Sequence, residues 1–221
     1  AMTPAGVWLM SGSQGNAITA TDVQAEPQTY TGVSDVEPLK IDTDIIYVNG
    51  TGGKVNALAY ADQYKLYSPT DISVLASHLL ERYRIVRWCY ADEPHRLIHA
   101  VREDGTMLLL TMMKEEEIYA WARRITKGEF LDCVSLEEEN VSSVYMVTRR
   151  YINGRLTKML ERIAQRNFNH VEEAVFLDAS LKLGQTVGTV DIQIAATTGT
   201  GINVVASSAT FSAGDVGKIL R

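Results

Sequence analysis

The run Leu97-Ile98-His99-Ala100-Val101, the turn Asp104-Gly105 and the run Met107-Leu108-Leu109-Leu110-Thr111-Met112-Met113 read as two apolar strands folded over a tight turn. Asp-Gly between apolar runs supplies the left-handed backbone that a short hairpin needs. The same unit stands on either side. Upstream, Ile45 to Val48 leads through Gly52-Gly53 into Val55 to Tyr60. Downstream, Val144 to Val147 leads through Asn153-Gly154 into Leu156 to Ile163. The interval is about fifty residues, a length at which stacked sheet units recur, since one antiparallel sheet cannot bury its faces alone. Phe130-Leu131-Asp132 is echoed by Phe176-Leu177-Asp178 at the offset that separates Ile98 from Val144. The pattern predicts a mainly β protein of antiparallel meander sheets of β-propeller type, a partial propeller, with one short helix and a small C-terminal β-element.

Working outward, residues 1–43 form an irregular N-terminal β and loop region, with one clear strand at Val7 to Met10 and a polar, loop-rich stretch from Gly12 to Pro38. Residues 44–187 hold the blade-like repeats. Within them, Ile72, Leu75, Ala76, Leu79 and Leu80 recur at helical spacing between Ser68 and Arg82, with a cap at Thr70 or Asp71. Ile85 to Tyr90 leads to a turn at Glu93-Pro94. Leu97 to Val101, Met107 to Met113, Ile118 to Ile125 and Phe130 to Leu136 then read as one complete four-stranded blade. Val144 to Thr148, Arg155 to Ile163 and Val175 to Leu181 continue into another. Residues 188–221 open a further small β-element, where Val190, Ile192 and Ile194 alternate with Thr189, Asp191 and Gln193. An apolar run reaching Leu220 is expected to belong to an element cut short, and Ala1 before Met2 reads as the scar of a removed tag.

An apolar share of 46% with 22% charged residues is that of a globular chain, and a formal charge of −6 argues against a general nucleic-acid binder. No apolar run is long enough for a helix to cross a bilayer, and the start Ala1-Met2-Thr3-Pro4, with no basic region followed by an apolar one, is not expected to be a secretory signal. Cys89 and Cys133 each sit in an apolar strand and read as buried thiols, with one disulfide between them left open.

Residues with chemical potential read mostly as structural. His95 and His99 have no third ligand at metal spacing. The acidic runs Glu115 to Glu117 and Glu137 to Glu139 fall at hairpin turns, where carboxylates guard edges. Convergence of those runs across a cleft is what glycosidic chemistry would require. Gly50 to Gly53 and Gly199 to Gly201 lead into strands, not into the helix N-terminus that a phosphate loop needs. The most basic stretch is Arg149, Arg150, Arg155, Lys158, Arg162 and Arg166. Strand alternation puts some of them on one face, as a DNA-channel lining or as interface ion-pair partners.

The segment from Ser68 to Leu181 resembles the tail tubular protein B, or tail nozzle (hub), family of short-tailed bacteriophages and related prophages. The resemblance is carried by Asp71 to Leu79, by Ile85 to Tyr90 with Glu93-Pro94-His95, by Ala100 to Thr111, and by Tyr119-Ala120-Trp121. Met159 to Arg162, Glu172 to Asp178 and Ala209 to Lys218 are similar to further recurrent stretches of the family. These are packing and turn patterns, not catalytic signatures. The resemblance implies a β-propeller-containing subunit of the virion tail, ringed around the exiting genome and in contact with other tail subunits and portal or adaptor proteins.

The expected function is therefore that of a structural, non-enzymatic subunit with no cofactor and no metal. It would assemble into a homo-oligomeric ring and meet DNA transiently through Arg149, Arg150, Arg155, Lys158 and Arg162. The alternative is a glycan-binding or glycan-cleaving propeller acting at host adsorption.

Overall fold

The computed structural model describes residues 1–13, 17–116, 118–138, 140–166, 168–171, 174–180, 192–194, 200, 203–207 and 213. It falls into two units, Ala1–Asp178 and Ala179–Arg221. The first unit is mainly β, and every strand pair in it is antiparallel.

Its strands form successive meanders. The first sheet is β1 (Met2–Thr3), β2 (Gly6–Ser11) and β3 (Gln24–Thr29). The second has four strands in chain order, β4 (Leu39–Ile41), β5 (Asp44–Val48), β6 (Val55–Ala61) and β7 (Leu66–Asp71). The third repeats that plan with β8 (Ile85–Ala91), β9 (Leu97–Arg102), β10 (Met107–Met113) and β11 (Ile118–Arg124). The fourth is β12 (Glu129–Glu138), β13 (Val141–Ile152) and β14 (Arg155–Arg162). The three repeated hairpins of the sequence are β5–β6, β9–β10 and β13–β14, the second and third strands of their sheets.

The sheets pack face against face. Ile46, Val48, Val55 and Ala57 of the second sheet meet Ile98, Ala100, Leu108 and Leu110 of the third in one buried cluster. From the opposite face of the third sheet, Cys89, Ala91, Val101 and Met107 meet Phe130, Cys133, Val144 and Met146 of the fourth. Val7 of the first sheet packs with Tyr47 and Leu58 on the far face of the second. Alternation along each strand makes this possible: Ile46 and Ile45 serve different neighbours. Each fully buried aliphatic side chain contributes about 1.5–3 kcal/mol, so three such interfaces are the main source of stability. Polar ties cross them as well. The indole N–H of Trp88 donates to the Glu37 carbonyl at 2.6 Å, and that of Trp121 donates to the Ile72 carbonyl at 2.9 Å.

Several expectations are corrected. The complete four-stranded sheet is β8–β11, one strand earlier than the sequence pattern suggests, and Phe130 to Leu136 lies in the first strand of the next sheet. The break falls at Gly128, whose φ of +144° and position leave no room for a side chain. A Cβ there would stand 2.4 Å from the Arg149 carbonyl oxygen. The expected helix from Ser68 to Arg82 shrinks to one 3₁₀ helix, Val74–Leu79, interrupted at Ala76. Leu66–Asp71 is instead claimed by the second sheet as its edge strand, where Pro69 needs no N–H partner. Asp71 then fixes the exit: its Oδ1 accepts from the Ser73 N–H at 2.9 Å and from the Ser73 hydroxyl at 2.7 Å. Leu75, assigned by spacing to the buried side, is 90% exposed. The described part of Val175 to Leu181 is not a strand.

In the second unit, β15 (Ile192–Ile194) pairs antiparallel with β16 (Val204–Ala206), a two-stranded element. Thr189, Val190, Asp191 and the run from Phe211 to Leu220, apart from Ala213, lie outside the described residues. Among the described residues, no helix is long and apolar enough to cross a membrane.

Candidate functional site

The fourth sheet carries the basic stretch. Its inner face packs on the third sheet, and strand alternation divides the arginines between the two faces. Arg149 and Lys158 are directly paired across β13 and β14, and Tyr145 is paired with Arg162. These side chains share the outer face, with Val134 and Leu136 of β12 and Tyr151, Leu156 and Leu160 of the hairpin. Leu156 is 70% exposed and Leu160 74%, so this face is both basic and apolar.

Arg150 turns the other way. Its side chain is buried, and its guanidinium grips both oxygens of Glu161, at 2.5 and 2.7 Å. It also donates to the Lys127 carbonyl and to Asp178, each at 3.1 Å. The Glu161 carboxylate raises the pKa of Arg150, and the same bond lowers that of Glu161, so both stay ionised. Asp178 in turn accepts from the Thr126 hydroxyl and the Lys127 N–H. Arg150 is thus a clamp that holds the sheet-to-sheet turn.

On the outer face, Arg149 pairs with Glu129. Arg162 lies 3.1 Å from Glu138, whose other oxygen accepts from the Tyr145 hydroxyl at 2.6 Å. Those contacts, led by the Tyr145 hydrogen bond, hold Glu138 below its ordinary pKa. Among the described residues, Lys158 and Arg155 have no ion-pair partner. Register puts Lys158 on this face and Arg155, paired with Ile152, on the face of Arg150, so one free cation beside two neutralised ones makes a weakly attractive surface for a phosphate backbone.

The other sequence candidates scatter. Glu115 and Glu116 are exposed in the β10–β11 turn, whereas Glu137 accepts from the Ser142 hydroxyl at 2.7 Å and Glu138 is engaged as above. Glu117 and Glu139 lie outside the described residues. Cys89 and Cys133 are buried free thiols. The hydrogen bond between them and their burial push the Cys133 thiol well above its usual range. His95 is exposed in a turn and His99 is buried within β9. Among the described residues, no three His, Cys, Asp or Glu side chains cluster as metal ligands. Sequence reasoning missed Arg124, which faces the same cavity as His99 and Arg166. No spacing signal joins these residues, because each comes from a different strand or loop.

No protein-family model matches the chain, and no curated protein matches it either.

Proposed function

We propose that this chain is a structural part of a phage tail nozzle, a wall unit built from propeller-type blades and devoid of catalytic residues. The observation that carries this reading is the third sheet, a four-stranded meander covered on both faces by neighbouring meanders. Propeller blades stack in that manner, because a sheet with two apolar faces needs two neighbours. The resemblance of Asp71 to Leu79, Ala100 to Thr111 and Met159 to Arg162 to tail nozzle proteins supports a role in the virion tail.

The mechanism is mechanical. Stacked sheets form a stiff wall, and the outer apolar face of the fourth sheet receives the next sheet of that wall. Three of the six cations of the basic stretch are spent on ion pairs within the chain, so passing DNA is tolerated and not gripped. Ring assembly with further copies, and contact with portal or adaptor proteins, follow from the same reading. No cofactor is needed.

The test is the composition of the particle. Mass spectrometry of purified, nuclease-treated virions is expected to find peptides of this chain, and antibodies against it are expected to label the distal tail. Virions free of those peptides, or label confined to the capsid, would overturn the proposal.

A further inference from the structure

A cavity of about 180 Å³ lies within the first unit, between the third and fourth sheets. His99 of β9, Arg124 at the end of β11 and Arg166 beyond β14 line it, together with apolar Leu97, Val144 and Ile163. His99 is only 4% exposed, and its Nδ1 has no hydrogen-bond partner. A buried ring nitrogen left unpaired costs free energy unless something in the cavity completes it.

The charges around the cavity are lopsided. Among the described residues, neither Arg124 nor Arg166 has a carboxylate within ion-pair distance. Burial, with the positive charge of Arg166, holds Arg124 below its ordinary pKa. Asp178 acts on Arg124 in the opposite sense but is already engaged by Arg150, Thr126 and Lys127. Glu93, which also lines the cavity, is exposed to solvent. Two guanidiniums and an orphaned imidazole nitrogen around a half-apolar cavity form a receptor for an oxyanion, since the guanidinium fork matches a carboxylate or phosphate.

Size narrows the ligand. An apolar cavity of about 150 Å³ is enough to hold benzene, so this one takes a charged head on a body of about six carbons. We propose that the cavity binds a small organic oxyanion, a carboxylate or phosphate monoester with a compact apolar body, through Arg124, Arg166 and His99. Leu97, Val144 and Ile163 pack on the body, while the arginines hold the head.

The experiment is calorimetric titration of the full chain at pH 7 with benzoate, phenyl phosphate and neutral benzamide, followed in parallel by the imidazole resonances of His99. At least one anion is expected to bind with a Kd below about 1 mM and to shift the His99 resonances, with benzamide at least about tenfold weaker. Whichever anion binds tighter identifies the head group. Arg166→Gln, an exposed loop change, is expected to weaken binding about tenfold without altering the thermal midpoint, and Arg124→Gln at least as much. Should Arg124→Gln fail to fold, Arg166→Gln alone decides. Silence with both anions at 10 mM (about ten times the expected Kd), equal binding of benzamide, or unchanged affinity in Arg166→Gln overturns the proposal.

Discussion

Lys114, just beyond β10, places its ammonium 2.7 Å from the carboxylate of Asp44 at the start of β5, so one ion pair ties the third sheet to the second. The Asp44 side chain is only 6% exposed. It also accepts a hydrogen bond from the Thr43 hydroxyl at 3.2 Å.

Removing the cation leaves a buried carboxylate short of a partner. Lys114→Met is expected to cost about 2 kcal/mol, below the range for a fully buried pair because the lysine is half open to water. Adding Asp44→Asn to that variant is expected to restore part of the loss. Urea denaturation midpoints measure both, and a neutral single substitution would deny the pair its role.

Arg150 and Arg155 lie close in sequence and far apart in consequence. Arg150→Met strips Glu161 and Asp178 of a buried partner and is expected to destabilise by about 2–3 kcal/mol. Arg150→Lys keeps the charge but loses the two-pronged grip, and is expected to recover less than half of that. Arg155→Met, at an exposed strand end, is expected to stay within about 0.5 kcal/mol of the parent. The same denaturation assay ranks all of these variants.

Acid sensitivity should begin with His99. Burial first, then the charges of Arg124 and Arg166, push its pKa down from 6.5 to about 4. The unfolded chain therefore binds more protons between those values, and stability falls as pH falls through that window. The expected loss is about 2 kcal/mol between pH 7 and pH 5, with a flatter profile in His99→Gln. Asp104 and Glu161 have pKa values lowered below their ordinary range, so they remain ionised above pH 5 and do not confuse the reading. A parent profile flat from pH 7 to pH 5 would contradict it.

The outer face of the fourth sheet should make the isolated chain sticky. Val134, Leu136, Tyr151, Leu156 and Leu160 are all exposed there. Leu160→Asp is expected to leave the thermal midpoint within about 2 °C while shifting self-association several-fold to higher concentration. Sedimentation velocity over a concentration series resolves it, and identical behaviour of the two chains would argue that the face is inert.

DNA contact should be feeble. With Arg149 and Arg162 paired and Arg150 turned inward, Lys158 is, among the described residues, the unpaired cation of the basic stretch on the outer face of β13 and β14. The logarithmic salt slope for duplex DNA is expected to be no steeper than about −2. Fluorescence anisotropy between low and moderate salt gives this value, and a slope several times steeper would reveal a gripping surface.

Much of the fold could be read from residue patterns, and the reason is local. Hairpins β5–β6 and β9–β10 are central pairs, so their apolar runs are dense, and their turns, like that of β13–β14, carry glycine. Edge strands β3, with Pro27, and β7, with Pro69, look like loops because an edge has no need of a full ladder. The phase of the four-stranded sheets depends on where the chain breaks, and the crowding at Gly128 reveals that. For the basic stretch, alternation divides the residues between two faces, and which half faces inward depends on the register with β12. The cavity was invisible because β9, β11 and the end of β14 supply His99, Arg124 and Arg166 from remote parts of the chain.

The third sheet, shielded on either side, has a further consequence. Because each interface involves adjacent members alone, another member can be appended at the open end without disturbing the packing already made. Such a molecule can lengthen by duplication of whole modules, and its interior amides should exchange with solvent last, after the flanking ones have frayed.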